Sequence, residues 1–156
     1  MASALATGWE LPRAKTKYAG LITEGRTGPG GPHVAVLLPQ TYMNDAGRSA
    51  GPARGALKLP LDHVLVLHDE IDLPFGEVRE RLGGGLAGHN GLKSLKAELG
   101  GPDFRRVRIG VGRPDTTDPD RVAAYVLGRF AEARSEVADL IDRAREAAEG
   151  VVLAPY

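Results

Sequence analysis

The densest group of reactive side chains is the run His68-Asp69-Glu70-Ile71-Asp72-Leu73-Pro74. A carboxylate beside an imidazole can orient the ring and stabilise its charged form, as general acid–base chemistry requires. The run closes the stretch His63–His68 (HVLVLH), whose β-branched and leucine residues predict a strand buried on both faces. Polar groups just past the carboxyl end of such a strand are where open α/β sheets place their sites. Asp69 and Asp72 lack a third ligand, so they do not define a magnesium site. A plain acidic turn is the structural alternative.

Two further segments bring polar groups to turns. Gly83–Gly91 (GGGLAGHNG) offers backbone that can lie close to an extended ligand. Gly83, Gly85 and Gly88 match G-x-G-x-x-G, and Asp103 follows at the distance of a dinucleotide fingerprint. That reading is rejected, because the preceding Gly76–Leu82 (GEVRERL) is charged rather than buried and the next helix starts late. Asn90, at that helix start, can cap the helix or hold a ligand oxygen. Gln40–Asn44 (QTYMN) follows a strand-like run, and Tyr42, Met43 and Asn44 suit a pocket wall with one orienting hydrogen bond. Alternatively, Asn44 is an ordinary N-cap among core anchors.

The elements that must position these groups alternate in type. Tyr18–Glu24 and His33–Leu38 read as strands joined by the glycine-rich Gly25–Pro32, hence a hairpin-like pair. A helix begun by Asn44 and running to about Leu57 is weakened by Gly47, Gly51 and Pro52. Gly76–Leu82 reads as an outer strand, Leu92–Leu99 as a short helix and Phe104–Val111 as a strand. Asp118–Tyr125 reads as a short helix and Ala131–Leu153 as a long one. In the latter, Val137, Leu140, Ile141, Ala144, Ala148, Val151 and Val152 form one apolar stripe. Residues 1–11 read as the end of a helix, with Trp9 and Leu11 available for a core. The pattern predicts one α/β domain over residues 1–156, with a largely buried sheet flanked by helices.

Composition narrows the chemistry. The 156 residues include no cysteine, which removes disulfides, thiolate metal sites, iron–sulfur clusters and a cysteine nucleophile. No apolar run approaches the roughly 18 residues of a membrane span, and the start lacks a secretory pattern, so the cytoplasm is the default location. The formal net charge is zero, yet charge is blocked along the chain. Residues 1–61 carry +4, residues 62–78 carry −5, residues 79–113 carry +5 and residues 114–156 carry −4. A basic block beside an acidic one permits a phosphate-binding face on a neutral protein.

In order and spacing, PQTYMN, HDEIDLPFGEVRERLGGGLAGHNGLKSL, DFRRVRIGVGRP and VAAYVLGRF resemble the bacterial peptidyl-tRNA hydrolase family. The resemblance runs from about Lys15 to the C-terminal helix, and the pairing of HDEIDLP with GGGLAGHNG is highly specific. It implies a twisted mixed sheet wrapped by helices, cleavage of the ester between peptide and tRNA during translation, and neither metal nor organic cofactor. By position it implies that Asp69 orients a catalytic histidine, and that Asn44 and Asn90 hold the substrate. Tyr42 and Met43 would line a peptidyl groove. Arg79, Arg81, Lys93, Arg105, Arg106 and Arg108 are the candidates for tRNA phosphates, and Gly83–Gly88 for a substrate lid. The expected partner is peptidyl-tRNA, bound by a monomer.

The chain departs from the family at its start. The family's first strand carries an asparagine-proline-glycine turn and then an arginine-histidine-asparagine segment that supplies the catalytic histidine. Neither motif is present, and Met1–Arg13 aligns with the end of the family's first helix. His33, His63, His68 and His89 all fall at positions matched to other roles. The pattern therefore reads as N-terminally truncated, with little or no hydrolysis expected of this chain alone. Losing a general base costs roughly 10²–10⁴ in rate. The alternative is a non-catalytic RNA-binding relative of the family.

Overall fold

The computed structural model describes residues 2–85, 89–112 and 134–154. Helix α1 (Ala2–Gly8) is followed by strands β1 (Lys15–Lys17), β2 (Gly20–Arg26) and β3 (His33–Pro39). A 3₁₀ turn (Met43–Asp45) leads into α2 (Gly47–Leu57), and a second (Leu61–His63) into β4 (Leu65–Glu70). Then come β5 (Val78–Leu82), α3 (Asn90–Leu99), β6 (Arg105–Gly110) and α4 (Arg134–Leu153). Among the described residues the strands form two three-stranded sheets, ordered β1-β2-β3 and β4-β6-β5. The α/β class is as expected, but two sheets stand where one was predicted. The first is antiparallel throughout, while β6 runs parallel to β4 and antiparallel to β5.

Alternation of side chains sorts β4 and β6 onto two cores. Val107 and Ile109 pack with Leu65 and Leu67 against Leu5, Leu140, Ala144 and Ala148. Phe104 instead joins Leu92, Leu95 and Leu99 of α3, with Val64 and Val66 beside them. Following the same alternation, His68, Glu70, Arg106 and Arg108 continue the Phe104 face beyond its apolar part. The apolar stripe of α4 is real, with Leu140, Ala144, Ala148 and Val151 buried. β5 is an outer strand as expected. β4 differs from expectation: Leu65–Leu67 are only half-buried, because among the described residues β4 has a single neighbour.

Two boundaries depart from the sequence reading. The predicted strand from Tyr18 begins at Gly20 instead, because Tyr18 and Ala19 form the turn between β1 and β2 at φ 56° and 50°. Two left-handed non-glycine residues are costly, and no glycine or asparagine marks the turn in the sequence. Asn44 does not cap α2: it lies within the 3₁₀ turn, and Ala46 precedes the helix. The glycines that weakened this helix are its packing surface. A side chain at Gly47 would collide with the Ser94 carbonyl oxygen, and one at Gly51 would meet that of Glu98 at 3.0 Å. Close approach also lets the Gly47 amide donate to Ser94 Oγ at 2.8 Å. The helix predicted over Asp118–Tyr125 lies outside the described residues.

Candidate active site

The end of β4 and the start of α3 meet at a pair of side chains. His89 Nε2 stands 3.1 Å from Asp69 Oδ1, both largely shielded from solvent. His89 is also the N-cap of α3, its Nδ1 accepting the Leu92 amide hydrogen at 3.2 Å. That bond assigns the proton to Nε2, which therefore donates to Asp69. The bond from His89 holds the Asp69 carboxyl below the usual carboxylate range, against the opposing effect of burial. Asp69 is part of the strand rather than of the turn past its end.

His68 stands edge-on to His89, with ring centroids 5.2 Å apart and planes at 73°. Its Nδ1 lies 2.9 Å from the Asp69 carbonyl oxygen, and its Nε2 accepts from Arg106 Nε at 3.1 Å. Burial and the neighbouring guanidinium, in that order of importance apart from the opposing carbonyl bond, push its pKa down to about 4. Native His68 is thus neutral where an unfolded chain would bind a proton. Stability is fully present above about pH 6.5 and is lost as pH falls toward about 4, by on the order of 3 kcal/mol in total. Urea unfolding at pH 7 and pH 4 should show the wild-type chain losing that much more than His68→Gln. Parallel losses in the two proteins would remove His68 as the cause.

Both histidines of this cluster are therefore fully committed. Neither offers a ring nitrogen lone pair to a water molecule, since His89 Nδ1 serves α3 and His68 Nε2 serves Arg106. His33 is an exposed residue 3.7 Å from Glu24 on the far hairpin.

The turn Tyr42–Asn44 abuts this pair. A side chain built at Gly91 would lie 2.8 Å from Met43 Sδ and 3.0 Å from His89 Cε1, so the thioether sits over the first turn of α3 beside the imidazole. Tyr42 is 84% exposed and Asn44 is exposed in the same turn. Asn90 is the first helical residue and exposed, and does not cap α3, because His89 does. Asp69, Met43 and Asn90 are thus brought around His89, with Tyr42 and Asn44 at the rim.

The basic residues divide. Arg108 donates from Nε and Nη2 to Glu70 Oε1, at 3.2 and 2.8 Å, in a buried pair. Arg79 forms an exposed pair with Glu77 at 3.3 Å, and Arg105 Nε donates to the Asp62 carbonyl oxygen. Arg106 is 1% exposed, so it is no surface arm for phosphate. Arg81, Arg105 and Arg106 line a shallow cavity of about 220 Å³ with Glu80, Leu82 and Val151. Lys93 is exposed on α3 and borders a separate depression beside Lys96. The glycine segment follows an antiparallel edge strand, not the parallel strand a dinucleotide fold requires, which supports rejecting that reading.

Sequence reasoning missed the parts played by His89 and Arg106. Histidine is an uncommon cap, so the GHNG turn drew attention to Asn90. Arg106 was readable only through alternation with Phe104, which puts it on a buried face.

Comparison with known proteins adds three findings. The family described as peptidyl-tRNA hydrolase matches residues 1–154. The peptidyl-tRNA hydrolase of Methylocella silvestris is 47% identical over 131 residues, covering 84% of this chain and 64% of that protein; the one from Bacillus pumilus is 39% identical over 153 residues, covering 97% and 79%. The crystal structure of peptidyl-tRNA hydrolase from Acinetobacter baumannii superposes with a TM-score of 0.83 at 32% identity, over 96% of this chain and 74% of that one.

Proposed function

Since the chain belongs to the peptidyl-tRNA hydrolase family, we propose that it binds peptidyl-tRNA and carries most, but not all, of a site for cleaving its ester. The observation that carries this reading is the Asp69–His89 pair at the foot of α3, flanked by Met43 and Asn90. In ester hydrolysis a base takes a proton as water attacks the carbonyl carbon; the bond to the ribose oxygen then breaks, and that oxygen gains a proton. Asp69, whose Oδ1 holds His89, is assigned to orient and charge-stabilise through its remaining lone pairs the imidazole that does this. Asn44 and Asn90 hold the ester end through their amides, and Asn90 also shapes the environment of the developing oxyanion. Tyr42 and Met43 form the apolar wall for the peptide. Arg79, Arg81, Lys93, Arg105 and Arg108 are assigned to phosphates of the acceptor stem; Arg79, Arg105 and Arg108 already bond Glu77, the Asp62 carbonyl oxygen and Glu70.

The base itself is assigned to a segment outside this chain, which spans 64% of the Methylocella relative's length. The committed nitrogens of His68 and His89 support that assignment, and they favour tRNA binding with little turnover as the activity of this chain alone. The test compares this chain with a form extended by the N-terminal segment of that relative, acting on an N-acetylaminoacyl-tRNA. Both should bind the substrate, and the extended form should hydrolyse it faster by roughly 10²–10⁴. Equal turnover would mean that the base lies within this chain. Failure of both forms to bind tRNA would overturn the reading altogether.

A further inference from the structure

Arg106 is a buried cation on the central strand of the second sheet, where an aliphatic residue would fill the space without a charge to desolvate. Its hydrogen-bond partners among the described residues are neutral. Nη1 donates to the carbonyl oxygens of Gly83 and Gly85, at 3.2 and 2.8 Å, and Nε donates to His68 Nε2 at 3.1 Å. The two carbonyls belong to the glycine segment after β5, where Gly83 and Gly84 adopt φ of 66° and 90°. The Gly83 amide is itself tied to the Phe104 carbonyl oxygen at 2.9 Å. From the same guanidinium Nε reaches the floor of the site, since His68 adjoins Asp69 and stands against His89.

No other described side chain is hydrogen-bonded both to the glycine segment and to a histidine of the site. A planar fork with fixed donor directions can hold two carbonyls and a ring nitrogen at once; an ammonium on a flexible stem cannot reproduce that geometry. The charged groups acting on Arg106 are Arg108 and Arg81, which disfavour its charge, and Glu70, which favours it. Glu70 is occupied by Arg108, so the three neutral acceptors carry the local bonding.

We propose that Arg106 is a positioning residue that fixes the Gly83–Gly85 segment against the Asp69–His89 pair and thereby sets the affinity of the site for the ester end of peptidyl-tRNA. This rests on the reading of the site as one for peptidyl-tRNA. It assigns the glycine segment a held conformation whose holder is a side chain only 1% exposed.

Amide hydrogen exchange in the full chain, with binding of an N-acetylaminoacyl-tRNA, tests this directly. Arg106→Lys should exchange the amides of residues 83–85 at least about tenfold faster, with protection in β4 and α3 unchanged, and should bind the tRNA about tenfold more weakly. His68→Gln keeps an acceptor for Arg106 and should leave exchange at residues 83–85 within about threefold of wild type, whereas His68→Leu should raise it. Unchanged exchange in Arg106→Lys overturns the proposal, as does faster exchange with unchanged tRNA affinity. Should Arg106→Lys fail to fold, His68→Leu decides alone: unaltered segment exchange refutes the clamp. Absence of tRNA binding by the wild-type chain is a different result, which refutes the site reading itself.

Discussion

Replacing Asp69 by asparagine is expected to lower peptidyl-tRNA turnover by the N-terminally extended chain tenfold or more, with tRNA affinity within about threefold of wild type. Asparagine preserves volume and can still accept from His89 Nε2, now at 3.1 Å from the carboxylate. What it removes is the negative charge that favours protonation of the imidazole supplied by the extension during the reaction. A loss confined to kcat therefore reports charge stabilisation, and a matching loss in Asp69→Ala with a raised KM reports disorder of α3. Unchanged turnover in Asp69→Asn would sink the assignment of Asp69. The pH dependence has a defined sign. Because its carboxyl is held below the usual range, Asp69 remains ionised through mild acid and contributes stability that is lost only as pH falls through that depressed value. The higher window, from about pH 6.5 to about 4, belongs to His68. Acid loss of activity in that upper window should therefore not report Asp69 protonation, and circular dichroism recorded beside the assay separates unfolding from protonation of the catalytic imidazole.

The largest expected loss of stability comes from breaking the pair between Glu70 and Arg108. Their side chains are 6% and 20% exposed, so Glu70→Ala strands a guanidinium that has little access to water. The cost of removing one partner of a buried pair is about 3–5 kcal/mol, which for a chain of this size lowers the melting temperature by roughly 10 °C. Replacing both, as Glu70→Leu with Arg108→Met, should restore most of that loss, because the desolvation penalty goes with the charges. Glu77→Ala is the control: its exposed pair with Arg79 is worth about 1 kcal/mol at most. Thermal melts of the four proteins decide the matter. A Glu70→Ala protein that melts with wild type would show that water reaches Arg108 more freely than its burial indicates.

Much of this was legible in the sequence where local pattern and tertiary role coincide. The apolar stripe of α4, the β2–β3 pair and the charged outer strand β5 follow from period and composition, since each element buries one face. The failures share a cause: the decisive partner is distant in sequence. Gly47 and Gly51 look like helix breakers until α3 is laid against them, and Tyr18–Ala19 carries no turn signal because the hairpin imposes its backbone angles. At the site, position by position, the resemblance drew attention to Asp69, Met43 and Asn90, and the fold gathers these around one imidazole. It did not show that His89 would be that imidazole's source, because the ring serves a helix cap and a carboxylate together. Nor could a count of arginines separate Arg106, which is buried, and Arg108, which is half-buried against Glu70, from Arg81, which is exposed.

The order β4-β6-β5 also imposes a schedule on synthesis. The middle strand of the second sheet is the last of the three to leave the ribosome, about forty residues after the end of β4. At ~5–20 residues per second, β4 and β5 wait several seconds with no strand between them. During that interval the apolar Leu65–Leu67 segment has no partner in its own sheet, and chaperone capture would compete with mispairing. Arg106 and Arg108 arrive with β6, so the glycine segment, His68 and Glu70 acquire their partners in the same event that closes the sheet. A nascent chain stalled before Arg105 should therefore remain protease-sensitive throughout residues 65–85, and one stalled well beyond Gly110 should gain protection there in a single step.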